Sequence, residues 1–202
     1  METAPEPTNG RRRLAASSYD LSGIVDPAAL DQALAEAAVR EDGATDQAVR
    51  DAVKAALGAG RAVIRERFTA DQDGARVLAG TTLLIDTLVQ ALHRVATDRL
   101  FRVANPTKGE RIAVAAVGGY GRGELAPHSD VDLLFLLPYK PTPHTEQIVE
   151  FLYYVLWDVG LKVGHATRSI DECIRQAKAD ISIRTTMLEM RYIAGDEALV
   201  RS

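Results

Sequence analysis

Val114-Ala-Ala-Val-Gly-Gly-Tyr-Gly-Arg-Gly-Glu-Leu-Ala-Pro-His-Ser-Asp-Val-Asp-Leu-Leu-Phe-Leu-Leu137 is the stretch that decides how this chain folds. An apolar run enters a glycine-rich turn, and two carboxylates, Asp130 and Asp132, head a second apolar run. Side chains of a strand alternate faces, so residues two apart project to one side. Asp130 and Asp132 are therefore expected together at one strand end, close enough to share divalent cations. A glycine-rich turn lets backbone N–H groups approach anionic oxygens with no Cβ in the way. A phosphate cradle beside paired carboxylates is the equipment of metal-assisted nucleotidyl transfer.

Working outward, Arg111–Val117 reads as one strand and Val131–Leu137 as a second, ended by Pro138. Both are apolar on both faces, as central strands covered on two sides are. Thr142-Pro143 is a helix start, a hydroxyl cap followed by proline at the first position. Ile148, Phe151, Leu152, Val155, Leu156 and Val159 form the buried face of that helix, and Gly160 ends it. Leu161–Arg168 reads as a third strand, and from Ile170 the pattern returns to helix. Upstream, Pro27 opens an alanine-rich helical stretch to about Leu57, and Val63–Phe68 and Leu78–Leu100 continue in the same style. Leu84, Leu88, Ala91, Leu92 and Val95 make one apolar stripe, with His93 and Arg94 off it and expected to face solvent. The layout is then a disordered tail over 1–22, a helical region over 23–104, a core over 105–170 and the start of a helical module over 171–202. Arg11-Arg12-Arg13 read as solvated cations in that tail.

Bulk properties exclude several classes. At 202 residues the chain can bury one sizeable core. A net charge of −4 argues against general nucleic-acid binding, which needs a basic face. The single cysteine, Cys173, cannot form an internal disulfide and is expected to be a small buried side chain. The apolar runs read as too short to span a bilayer, and no apolar stretch follows the arginine triplet, so no secretory leader is expected. The expected setting is cytoplasmic, with no membrane partner.

The glycine turn has competing readings. Gly119-x-Gly121-x-Gly123 raises a dinucleotide-binding turn as one reading, but that fingerprint needs a helix immediately afterwards, and here Pro127, Ser129 and a strand follow. No P-loop lysine is present. A plain connector between strands is the bland alternative, and the adjoining Asp130-Val131-Asp132 speaks against it. Two carboxylates entering a covered strand repel each other and lose hydration unless a cation compensates. Mg²⁺ accepts one or two carboxylates and completes its octahedron with phosphates and water. Asp130 and Asp132 are thus the catalytic and metal-binding candidates, and Gly118, Gly119, Arg122 and Ser129 the nucleotide-binding ones. Arg122 either contacts phosphate or pairs with Glu124, and the Ser129 hydroxyl either donates to phosphate or caps its own loop. Tyr120 is expected to pack down instead of stacking on a base.

Glycine turn plus Asp-x-Asp resembles the polymerase β-like nucleotidyltransferase superfamily. Gly-Gly-Tyr-Gly-Arg-Gly-Glu-Leu followed by Pro-His-Ser-Asp-Val-Asp-Leu-Leu is similar to the narrower family of bacterial PII-protein uridylyltransferases. Gly60–Phe68, Leu156–Arg168 and Leu188–Asp196 are similar to further segments of that family, so the resemblance covers about residues 60–202. It implies an α/β (α+β) fold, a nucleotidyltransferase core with a small mixed sheet flanked by helical regions. It implies uridylyl transfer from UTP to a tyrosine hydroxyl of a PII nitrogen-regulatory protein, with Mg²⁺ and release of pyrophosphate. Alternatives are transfer of another nucleotide, such as AMP, to a protein or small molecule, and a catalytically silent nucleotide-binding module.

Many superfamily members add a third carboxylate on a neighbouring strand; here Gly164 falls at that position. His165 is read as a structural histidine before a base, and Asp158 as a helix-end surface residue. Glu189 and Arg191 match a family word on a presumed helix, with no role that the sequence gives. The family's uridylyl-removing and glutamine-sensing parts have no counterpart in the chain. No histidine here is followed by aspartate, and His93 and His144 are expected at the surface. The chain reads as a fragment or a short relative with the transferase half.

Overall fold

A computed structural model describes residues 19–39 and 45–201, so most of the expected tail, including the arginine triplet, lies outside the described residues. Three helices come first: α1 (Pro27–Ala38), α2 (Thr45–Asp71) and α3 (Gly74–Val95). Asp26 caps α1 through the amides of Ala28 and Ala29, with Pro27 in the first turn. Asp73 caps α3 in the same way through Ala75 and Arg76. The alanine-rich stretch from Pro27 divides between α1 and α2, and its later part runs on through Val63–Phe68 within α2. A π-helical turn (Ala96–Leu100) and a 3-10 turn (Lys108–Glu110) lead into the sheet.

Then follow β1 (Ala113–Ala116), α4 (Gly118–Gly121), β2 (Val131–Leu137), α5 (Pro143–Asp158), β3 (Val163–Ser169), α6 (Ile170–Ala179), α7 (Ile181–Leu188), β4 (Arg191–Gly195) and α8 (Glu197–Arg201). The sheet order is β3-β2-β1-β4, with β2 and β3 parallel and the other pairs antiparallel. The fold is thus α/β with a small mixed sheet, as expected. The two central strands are β1 and β2, whose residues are buried throughout save Asp132. Helix α5 is the crossover between β2 and β3; Thr142 caps it and Gly160, at φ +85°, ends it.

One face of the sheet carries Val114, Ala116, Val131, Leu133, Phe135 and Leu137 in the main core with α3 and α5. The other carries Ala113, Leu134 and Leu136 in a smaller cluster with Cys173 and Leu199. Burial raises the Cys173 thiol above its usual pKa.

Five expectations need correction. Residues 170–201 are not helical throughout, because Arg191–Gly195 pairs with β1 and adds a fourth strand to the sheet. Glu189 caps the end of α7 and Arg191 begins β4, so they share no helix. His93 is buried, since α3 is covered on more than its leucine stripe: Ile85, Val89 and Thr87 are buried with it. Gly74–Leu100 is long and apolar enough to cross a membrane by length and composition, contrary to the reading of its runs; over half of its most apolar window is buried as the central helix of the fold. His144 is also less exposed than expected, its Nε2 sharing a 2.8 Å hydrogen bond with the Phe101 carbonyl.

Candidate active site

Leaving β1, the chain turns at Gly118, whose φ of +60° is a left-handed conformation that glycine adopts without a Cβ clash. The expected open turn is a single helical turn, α4, closed by Gly121 N–H donating to Val117 O at 3.0 Å and Arg122 N–H to Gly118 O at 3.1 Å. No side chain caps its N-terminus, so its first amides are unclaimed by side chains. Gly121 lies so close to the Glu189 carbonyl that a Cβ there would collide with it.

Facing this turn is Asp132, the second residue of β2. A Cβ on Gly118 would stand 3.5 Å from Asp132 Oδ2, and one on Gly164 would stand 2.5 Å from Oδ1. The carboxylate therefore sits between the glycine turn and β3, where Asp132 and Gly164 are register partners. Burial, and then the charge of Asp130, raise the Asp132 carboxyl above the usual carboxylate range. Asp130 is exposed two residues earlier, and neither carboxylate has a hydrogen-bond or ion-pair partner among the described residues. An unneutralised pair of oxygen ligands suits a hard divalent cation. Among the described residues no group of three or more Asp, Glu, His or Cys forms a metal cluster.

The other candidates divide. Ser129 Oγ donates to the Ala126 carbonyl at 2.9 Å, so its hydroxyl holds its own loop. Arg122 pairs with Glu124 at 3.0 Å and with Glu189 at 2.9 Å, spanning the turn and the segment before β4. Its pairing with Glu124 was one of the two sequence readings, and Glu189 is an addition that sequence distance concealed. Asp158 pairs with Arg50 at 3.5 Å near the surface. His165 pairs in register with Leu133, on the sheet face opposite Asp132. Its ring packs 4.5 Å from Tyr153, centroid to centroid, so it is exposed yet held by an aromatic, and it does not face the aspartates.

Beneath the turn lies a group the sequence reading missed. Tyr120 is 1% exposed, and its hydroxyl donates to Asp86 Oδ1 at 2.7 Å. Arg191 donates to both Asp86 oxygens, at 2.7 and 3.0 Å, and to the Tyr120 carbonyl at 3.2 Å. Burial, and then the Asp86 charge, push the Tyr120 hydroxyl well above its ordinary pKa. This network ties α4 to α3 and β4. Its one sequence signal was a carboxylate inside the apolar run Leu83-Leu84-Ile85-Asp86-Thr87-Leu88.

The geometry of a glycine turn facing an unpartnered Asp-x-Asp agrees with comparison to known proteins. A family model described as "Nucleotidyltransferase domain" matches residues 99–192. The bifunctional uridylyltransferase/uridylyl-removing enzyme of Rhodospirillum rubrum is 58% identical over 148 residues, 73% of this chain and 16% of that protein. Its namesake in Azospirillum brasilense is 50% identical over 167 residues, 81% of this chain and 18% of that protein. That of Caulobacter vibrioides is 48% identical over 185 residues, 89% of this chain and 19% of that protein. The chain belongs to the uridylyltransferase family. It spans less than a fifth of the length of these relatives. Within this chain the matched nucleotidyltransferase region contains the glycine turn and both aspartates, while Asp86 lies upstream of it.

Proposed function

We propose that this chain transfers a uridylyl group from UTP to a PII signalling protein, releasing pyrophosphate, with Mg²⁺ held by Asp130 and Asp132. The observation that carries this reading is the Asp132 carboxylate, without a protein partner, set against the uncapped glycine turn. When bound, the cation would polarise the α-phosphate and offset charge on the departing pyrophosphate. Gly118 and Gly119 present backbone donors to the phosphates, and Arg122 holds the turn to the segment before β4 through Glu189. Gly164 leaves no room for a third carboxylate beside Asp132. With no such base on β3, proximity and orientation of the acceptor hydroxyl do most of the work.

Transfer of labelled nucleotide to PII from each of the four ribonucleoside triphosphates tests the reading. Label from UTP alone is expected, and only with divalent metal. Label from ATP alone would make the chain an adenylyl-transferring relative, and no label from any would make it a silent module. UTP affinity should also rise on adding Mg²⁺, since triphosphate and two carboxylates otherwise repel; equal affinity in both conditions would contradict a metal-bridged site.

A further inference from the structure

Behind the head of β2 lies a cleft of about 510 Å³, bounded by α2, α3, the loop before Asp130 and the start of β3. Its floor is apolar, including Leu84, Leu125 and Leu161, and Phe68, 39% exposed, stands in its wall. The charged residues among its lining are Arg61, Arg65 and Lys162, with no aspartate or glutamate among the described lining residues, in a chain whose net charge is −4. Arg61 and Arg65 are one turn apart on α2, so their side chains project together. No hydrogen bond or ion pair engages any of the three side chains among the described residues. Val131 lines the cleft while Asp132 points to the opposite face, so the cleft is not where the phosphates meet Asp132. It reaches the carboxylate pair at its rim: Ser129 is in its lining, and Val131 N–H donates to Lys162 O at 2.8 Å, setting Lys162 beside Asp130.

We infer that this cleft docks the acceptor protein, taking an acidic loop that buries one apolar or aromatic side chain on the floor and sets its charges against Arg61, Arg65 and Lys162. Charge complementarity and continuity with Asp130 commit the cleft to that occupant. Besides the three cations, the polar side chains of the lining are Thr81, His128 and Ser129, and the Ser129 hydroxyl already donates to Ala126 O. A chain seated there and passing over Lys162 brings a hydroxyl to the exposed Asp130 side of the site. The inference rests on the uridylyl-transfer reading for the identity of the acceptor.

The test is the double reversal Arg61→Glu, Arg65→Glu in the full chain, with circular dichroism to check the fold and Arg65→Gln as a milder second variant. Steady-state transfer gives KM for PII and for UTP separately, and direct titration gives PII binding without catalysis. The reversal is expected to raise the PII KM and weaken PII binding by about tenfold or more, more strongly at low salt, with the UTP KM within about twofold of wild type. An unchanged PII KM in an active enzyme overturns the docking inference and leaves the function standing. A parallel loss of UTP affinity also overturns it, making the cleft a nucleotide subsite. If wild type transfers nothing but binds PII in an Arg61- and Arg65-dependent way, the function fails and the docking surface stands; if it does neither, both fail.

Discussion

Asp86 and Asp132 lie on opposite sides of the glycine turn and are handled in opposite ways. Asp86 is largely buried, and its oxygens accept from Tyr120 and both ends of the Arg191 guanidinium. Asp132 is half-buried beside a second carboxylate, and no group among the described residues neutralises it. Removing a carboxylate from water is costly, and a fold that does so for its own sake supplies the counter-charge itself. The charge that the described residues leave uncompensated is where the proposed cation would act. The turn between them is thus fixed from below by the chain, while the side facing Asp132 is left open.

The largest effect should come from breaking the unpartnered side. Asp130→Asn or Asp132→Asn should lower transfer by roughly 10³-fold or more, about 4 kcal/mol of transition-state stabilisation. The metal-free melting temperature should hold or rise slightly, because each change removes a charge from a repelling pair. A large drop in melting temperature would put Asp132 in the same class as Asp86 and erase the contrast.

Asp86→Ala should do the reverse, leaving the half-buried Arg191 without its carboxylate. A loss of about 3 kcal/mol in denaturant unfolding is expected, with activity falling as the turn loosens. Lost activity at unchanged stability would mean that Asp86 acts on the substrate side of the turn.

His93 sharpens the comparison, as a buried ionisable group with no partner at Nε2 that avoids the cost by staying neutral. Burial lowers its pKa from 6.5 to about 4. A histidine with a depressed folded pKa takes up its proton in the unfolded state first, so stability falls as pH drops below 6.5 toward 4. Between pH 7 and 5 this group should cost roughly 2 kcal/mol. Chemical denaturation at both pH values, compared with His93→Gln, measures it; an equal pH dependence in the variant would show that His93 does not carry it.

The smallest effect is at Gly119. An alanine Cβ there would meet only Arg122 Nη2 at 3.6 Å and Glu124 O at 4.0 Å, so stability should change by less than about 0.5 kcal/mol. Positive φ belongs to Gly118 instead, which makes Gly119→Ala a clean probe of phosphate approach. About a tenfold loss in kcat/KM for UTP is expected, roughly 1.4 kcal/mol. Normal transfer would reduce the turn to a connector.

The apolar runs around Asp130-Val131-Asp132 made the central strands legible, because strands covered on both faces are written as continuous hydrophobic sequence. The cap at Thr142 and the stop at Gly160 were equally local signals. What was illegible is non-local. The five residues Arg191–Gly195 follow a helical run and become a strand only by pairing with β1, some eighty residues upstream. Arg191 and Asp86 are 105 residues apart, so the clamp under the turn had no local spacing to reveal it. Glu189 reached Arg122 across a similar gap. His93 was misplaced because an amphipathic stripe predicts one buried face, while α3 is covered by helices and by β4 together.

Gly164 has one further consequence. With 2.5 Å between its missing Cβ and Asp132 Oδ1, the Asp132 carboxylate occupies space that any side chain at position 164 would contest. The socket belongs to β3, yet it is cut to the shape of a residue on β2. Positions 132 and 164 are therefore expected to be coupled: a methyl group added to the neighbouring strand would displace the Asp132 carboxylate without changing its codon.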